Sequence, residues 1–248
     1  MLGLGIGNYN EVWVPTDIAN CLLWLTTANG DNQMTFSSGT KMNKWGDLSG
    51  NDNHASQSTA GKAPDFTAAT QSVDFDNTGS ASVDDYMDLT TQISLDTSAT
   101  GWSIGVLYTS VNWDGSAQCI VGDKDNSNNF IRHNSGESKF LIKVGGNNNV
   151  ITLDNPADLV DNLFYSVIIS CGTDGALTLY IDGTAQEDTE NCGTNDITID
   201  QIFARNNVTT LGGKVKELVI YRKAMDAQNI TDLNGYFSGR KFDVQNLL

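Results

Sequence analysis

Short apolar runs recur along this chain between clusters of Gly, Asn, Asp, Ser and Thr. The clearest are 21–25 (CLLWL), 102–108 (WSIGVLY), 164–170 (FYSVIIS), 176–181 (ALTLYI) and 214–221 (KVKELVIY). Weaker runs lie at 73–75, 86–89, 119–121, 129–132, 139–144, 150–153 and 197–203. They are rich in β-branched and aromatic residues and bounded by turn formers, which predicts strands. Gly172-Thr173-Asp174-Gly175 separates two of them and predicts a hairpin. Many short strands at such spacing predict an all-β sandwich or barrel. Helix signals are sparse. Residues 226–237 (DAQNITDLNGYF) predict one helix, with Asp226 as N-cap and Ile230 and Leu233 on an apolar stripe, and Gly235 leaves its last turn open. Residues 156–163 predict a single turn of helix.

The first sixteen residues differ from the rest. Glycines alternate at Gly3, Gly5 and Gly7, with Leu2, Leu4, Ile6, Tyr9 and Trp13 as apolar positions among and after them. This segment reads as an attachment arm that orders against a partner, with a frayed terminus as the alternative, ahead of one sandwich domain over 17–248. All-β sandwiches of this length form single domains, and there is neither an internal repeat nor a linker.

Charge narrows the functional classes. The formal net charge is −16, from 14 Lys and Arg against 30 Asp and Glu. Nucleic-acid binding needs a basic surface that replaces phosphate counterions, so it is not expected. Docking on anionic lipid is not expected either. Solubility, cation binding or a basic partner fit the balance. No run approaches the ~20 apolar residues of a membrane-spanning helix. Residues 1–9 lack a basic stretch ahead of an apolar core, so no export signal is expected and the chain is expected to fold in a cytosol. Cys21, Cys119, Cys171 and Cys192 show no zinc spacing. Four free buried thiols are expected, with a Cys171–Cys192 bridge left as the alternative.

Three stretches together carry a family resemblance. Residues 45–57 read WGDLSGNDNHASQ, residues 164–183 read FYSVIISCGTDGALTLYIDG, and residues 213–237 read GKVKELVIYRKAMDAQNITDLNGYF. In this order they resemble the loop, the paired central strands and the closing strand–helix element of laminin G-like, concanavalin A-like jelly-roll modules. The resemblance spans about residues 20–240 and implies a two-sheet antiparallel jelly-roll sandwich with a short C-terminal helix. Loops of that family often hold calcium. The resemblance therefore implies a calcium set of Asp47, Asn51 and Asn53, with Glu217 from the closing strand. The alternative is a turn held by Asx hydrogen bonds, with Trp45 in the core. Calcium takes six to eight hard oxygens.

Other chemistry is thinner. Residues 123–129 (DKDNSNN) start like an EF-hand loop but have Asn128 where the glycine belongs and Asn134 where the bidentate Glu belongs, so a hairpin turn is expected. His54 and His133 have no partners at metal or triad spacing. Trp113 and Asp114 lie in an expected loop tip and are candidates for stacking on a sugar; the alternative for Trp113 is packing beneath its loop. Glycoside hydrolysis needs two carboxylates facing one bond, and the E-x-D-x-x-E strand motif is absent.

The glycine-alternating opening resembles those of phage virion proteins that carry such modules. With a lone module expected to lack an export signal and an acidic surface, that resemblance implies a non-enzymatic virion structural protein of a tailed phage, assembled in the host cytoplasm. It would decorate a capsid, or sit on a tail or fibre, held by its arm to other virion proteins and to further copies of itself. Its sandwich would face outward, toward host surface glycans among other partners. The alternative is a calcium-dependent carbohydrate-binding lectin, secreted or on a cell surface, and the third reading is a glycoside hydrolase.

Overall fold

The structure, a computed structural model, describes residues 13–28, 33–78, 84–111, 117–134, 139–154, 159–207 and 209–241. In chain order its strands begin with β1 Cys21–Thr26, β2 Met34–Ser38, β3 Lys41–Trp45, β4 Ala55–Ser56, β5 Asp65–Thr67, β6 Ser72–Phe75 and β7 Met87–Leu95. A one-turn helix, α1 Thr97–Thr100, precedes β8 Trp102–Ser110. Then come β9 Gln118–Gly122, β10 Phe130–Asn134, β11 Lys139–Val144, β12 Asn147–Thr152, β13 Tyr165–Cys171, β14 Ala176–Ile181, β15 Thr184–Ala185 and β16 Glu190–Asn191. The chain closes with β17 Ile197–Ile202, the small pair β18 Ala204–Arg205 and β19 Thr209–Thr210, the long β20 Gly213–Tyr221, and helix α2 Ala227–Lys241.

Every strand pairing is antiparallel, and one hydrogen-bonded ladder runs through 18 strands. It folds over into two layers. One runs β1–β20–β8–β13–β14. The other runs β4–β7–β17–β9–β10–β11–β12. β3 bridges them, pairing with β2, β4 and β5, and β5 leads through β6 back to β20.

Alternation explains the layering. In β8, Trp102, Ile104, Val106 and Tyr108 point into the core between the layers, while Leu107 points the other way. In β11, Phe140, Ile142 and Val144 are buried and alternate with half-buried Lys139, Leu141 and Lys143, as in a sheet with one wet face. β8 is instead buried at every position because α2 covers its outer face. Ile230, Leu233 and Phe237 of α2 rest on Leu107, Ile168 and Val219. Gly105 permits this close approach: a Cβ there would lie 3.0 Å from Leu233 and Val219 and 3.2 Å from Phe237. Asp226 caps the helix, accepting from Asn229 N at 2.8 Å.

Most expected strands are present. The β2–β3 hairpin and α1 were not anticipated. α2 runs past Gly235 to Lys241 because Phe237 keeps its apolar face engaged. Residues 155–158 lie outside the described residues, and 161–162 form a turn, so no helix is seen in the described part of 156–163. Of the expected arm, Leu2, Leu4, Ile6 and Tyr9 also lie outside them. Trp13 packs on Tyr236 of α2 with ring centres 5.9 Å apart and the rings tilted by 55°, and the 3-10 turn Pro15–Asp17 accepts from Tyr221 Oη through Pro15 O at 3.0 Å.

Candidate functional site

The loop after β3 is a carboxylate staple. Asp47 accepts from Trp24 N (2.9 Å) and Ser49 N (2.8 Å) on Oδ1, and from Ser49 Oγ (2.8 Å) and Asn53 N (3.0 Å) on Oδ2. Asn51 and Asn53 turn their amide N–H groups to Cys21 O and Leu22 O, each at 2.9 Å. His54 Nδ1 accepts from Asp47 N, and buried Trp45 donates Nε1 to Thr26 O at 2.9 Å. These bonds fasten the loop to β1, and both Asp47 oxygens are taken by donors.

Glu217 belongs to a different cluster. A bulge between Val215 and Glu217 shifts the phase of β20, so Glu217 lies on the helix side. It is fully buried and accepts from Thr26 Oγ1 (2.6 Å), Trp24 Nε1 (3.2 Å), Tyr236 Oη (3.2 Å) and Arg240 Nε (2.8 Å). Burial raises its pKa above the usual carboxylate range, against the pull of Arg240. Trp24 links two of the four expected calcium ligands: its N–H reaches Asp47 and its Nε1 reaches Glu217. The oxygens are thus divided between a loop staple and an ion pair.

The loop 123–129 joins β9 to β10, the expected hairpin, and β17 adds Asp200 beside it. Asp123, Asp125 and Asp200 bring one oxygen each within 4.8 Å of the others, the single such group among the described residues. Asp123 already accepts from Asp125 N, Asn126 N, Asn126 Nδ2 and Thr198 Oγ1. Asp200 accepts from Lys124 N at 2.7 Å, and burial raises its pKa.

Concave surface gathers elsewhere. One cavity of about 320 Å³ is lined by Leu153, Asp154, Tyr165, Ile181, Asp182 and Gln186 among others. A second of about 300 Å³ adjoins it, sharing Tyr165 and Asp182 and adding Asn162, Leu163, Phe164 and Lys241. Both open at the start of β13 and the end of β14. Their polar groups are already positioned. Tyr165 Oη accepts from Val160 N at 2.9 Å. Asp154 accepts from Glu187 N on both oxygens and donates its own N–H to Gln186 Oε1. Asp182 Oδ1 accepts from Ser166 N and from Lys241 Nζ, whose ammonium also lies 5.6 Å from the Tyr165 ring centre.

Three large apolar side chains are exposed among the described residues: Val111 (51%), Val160 (51%) and Leu163 (53%). They converge on this corner, because Asn162 N donates to Ser110 O at 2.8 Å. Val111 leads into 112–116, so the sugar-stacking candidates Trp113 and Asp114 lie outside the described residues. No local motif in the sequence marks this corner. The exposed apolar positions at 160 and 163, beside an aromatic pair at 164–165, were its only signal.

A two-layer antiparallel sandwich with loop-built cavities at its edge is a lectin-type jelly roll. The chain belongs to the concanavalin A-like lectin/glucanases superfamily, whose sequence profile matches residues 78–231, more than half of its length. No curated protein matches the sequence. Among solved structures it is similar to a botulinum neurotoxin type C structure described for cell entry through two ganglioside molecules (TM-score 0.58, 15% identity, covering 91% of this chain and 52% of that one). It is similar to the binding domain of Paraclostridial Mosquitocidal Protein 1 (TM-score 0.59, 15% identity, 90% and 53%). It is also similar to Trypanosoma rangeli sialidase in complex with sialic acid (TM-score 0.57, 10% identity, 91% and 34%). The chain thus spans about half or less of these proteins, and at such identity the likeness is one of fold. None of the described helices is long and apolar enough to cross a membrane.

Proposed function

We propose that this chain is a non-catalytic binding module whose ligand is a glycan, held at the corner around Tyr165 and Asp182. The carrying observation is the pair of adjoining cavities that share these two residues beneath exposed Val160 and Leu163. Sugar recognition combines an apolar or aromatic face with a few fixed polar groups, and this corner offers both. The two carboxylates lining it are spent on backbone N–H groups and Lys241, which suits positioning better than acid–base work. The fold likeness to the ganglioside-dependent neurotoxin structure supports the reading.

A glycan array read with and without EDTA tests this, and the EDTA arm tests the expected calcium dependence. Binding is expected, with Leu163→Asp, at a side chain exposed on this corner, weakening it roughly tenfold or more while the fold is retained. Silence of the array under both conditions, or unchanged binding by Leu163→Asp, overturns the proposal.

A second reading concerns mounting. Trp13, at the foot of the glycine-alternating segment, lines a cavity of about 520 Å³ on α2 with Thr231, Gly235, Tyr236, Gly239 and Arg240. This supports residues 1–16 as the device that fixes the module to a larger assembly, a tailed-phage particle being the case expected from the sequence. Deleting residues 1–12 is expected to spare folding and abolish incorporation into purified particles, read by mass spectrometry. Undiminished incorporation counts against it.

A further inference from the structure

Cys171 ends β13 and Cys192 follows β16, and nothing in the activity proposed above uses either. Three features of the backbone bring them together. β14 pairs with β13 on one side, placing Leu177 opposite Cys171. It pairs with β16 on the other, placing Ala176 opposite Asn191. The turn between β13 and β14 then folds so that Cys192 N donates to Gly175 O at 3.0 Å. Gly175 has φ +82°, and a Cβ there would lie 2.2 Å from Gly193 O, so this close crossing of the two turns requires glycine. The result is a sulfur–sulfur separation of 3.4 Å, with both side chains fully buried.

We propose that Cys171 and Cys192 are a disulfide-forming pair, closing the segment between them when the protein meets an oxidising thiol–disulfide environment. The sulfurs need only a small approach to reach bonding distance, because a shared hydrogen bond already holds them. That bond holds the Cys192 thiol below its ordinary range and the Cys171 thiol above it. Both sulfurs are fully buried in the closed form, so the first attack follows local opening of the turns at 172–175 and 192–193, and either sulfur can make it. The oxidant is a low-molecular-weight disulfide. The first sulfur, as thiolate, attacks one of its sulfurs, the old S–S bond breaks, and one thiol leaves with the proton given up. The second cysteine loses its proton and attacks the mixed disulfide, releasing the second thiol. Two protein thiols are oxidised and one small disulfide is reduced to two thiols.

Cys21 and Cys119 have no such neighbour. Cys21 is half-buried and bonds to Leu23 O, and burial pushes its thiol up to about 12. Cys119 is fully buried, bonds to Val121 O, and is likewise pushed up to about 12. The pairing is therefore specific.

The sequence separation of 21 residues sets the consequence. Closing a loop of that size restricts the unfolded chain, and in a protein of this length the oxidised form melts roughly 5–10 °C higher. The experiment equilibrates the full chain with oxidised glutathione, quenches with acid, and counts thiols in denaturant. The expected count falls from four to two, with the Cys171 and Cys192 peptides recovered as one linked species. The reductant-sensitive part of the melting temperature vanishes in Cys171→Ala and in Cys192→Ala. Four free thiols after equilibration, or a linkage that includes Cys21 or Cys119, overturns the proposal. Peptide mapping of the unaltered chain decides the matter even if a variant does not fold.

Discussion

Arg240→Ala is expected to destabilise the protein by about 3–5 kcal/mol at pH 7, the usual cost of leaving one member of a buried ion pair without its partner. Glu217 is fully buried, and Arg240 Nε donates to it at 2.8 Å as its cationic partner. Arg240 also donates to Thr27 Oγ1 at 3.2 Å, and Lys216 Nζ donates to Arg240 O at 3.0 Å. The cluster thus ties β1, β20 and the last turn of α2 together. Without the guanidinium, the hydrogen bonds from Thr26, Trp24 and Tyr236 remain, but the negative charge is unbalanced in a poorly solvated site. The Glu217 pKa is already raised by burial. A group raised in the folded state contributes stability at low pH that is lost as pH rises through the folded value. Removing Arg240 raises it further, so the deficit grows as pH rises. Chemical denaturation at pH 5 and pH 8 reads this. Glu217→Gln in the Arg240→Ala background is expected to restore part of the loss, because the buried charge is gone. A deficit below ~1 kcal/mol, or one independent of pH, would show that the pair does not hold the helix.

This cluster shows what a linear reading reaches and where it stops. The strands β8, β13 and β20 were legible because apolar, β-branched runs survive in any strand buried on both faces, and β14 because its buried and exposed positions alternate. The hairpin β2–β3 was not, since only Met34, Met42 and Trp45 of its ten residues are buried and its polar positions look like loop. Glu217 was visible as an oddity inside a buried strand. Its partners come from β1 and from α2 beyond Gly235, and the period of the helix does not say that it continues there. Asp200 joined Asp123 and Asp125 by strand pairing alone. The corner at Tyr165 is built from 153–154, 159–165 and 181–186, and no one of these is a motif. The Trp45 loop shows in the sequence as a cluster of oxygen-bearing side chains, but the sequence does not say whether those oxygens face a cation or the N–H groups of the chain. In the structure Asp47 accepts from three backbone N–H groups.

Asp85→Asn is expected to stabilise the protein at alkaline pH. Asp85 lies just before β7 with about 1% of its surface exposed. Its Oδ2 accepts from Asp76 N at 3.1 Å, whereas its buried Oδ1 has no hydrogen-bond partner among the described residues. The nearest cation, Lys41 Nζ, stands 3.9 Å away and is shared with Asp65 at 2.9 Å. Burial, with added repulsion from Asp76 and Asp65, pushes the Asp85 carboxyl up to about 7, while the hydrogen bond from Asp76 N and the charge of Lys41 pull the other way. Its ordinary value is 3.8. The folded state therefore holds a proton that the unfolded chain releases, and the contribution runs opposite to that of an ordinary paired aspartate. It is fully present below about pH 4, falls as pH rises toward 7, and has gone above that. At about 1.4 kcal/mol per pKa unit, the loss across this window is on the order of 2–4 kcal/mol. Asparagine keeps the shape of the protonated acid without the ionisation. Wild type and Asp85→Asn are thus expected to have similar stability near pH 4, with the variant gaining steadily to pH 7 and by a constant margin above. Denaturant titrations at pH 4, 6 and 8 measure the gap directly. Parallel profiles for the two proteins would mean that Asp85 is ionised in the folded state throughout, with Lys41 strong enough to hold its charge.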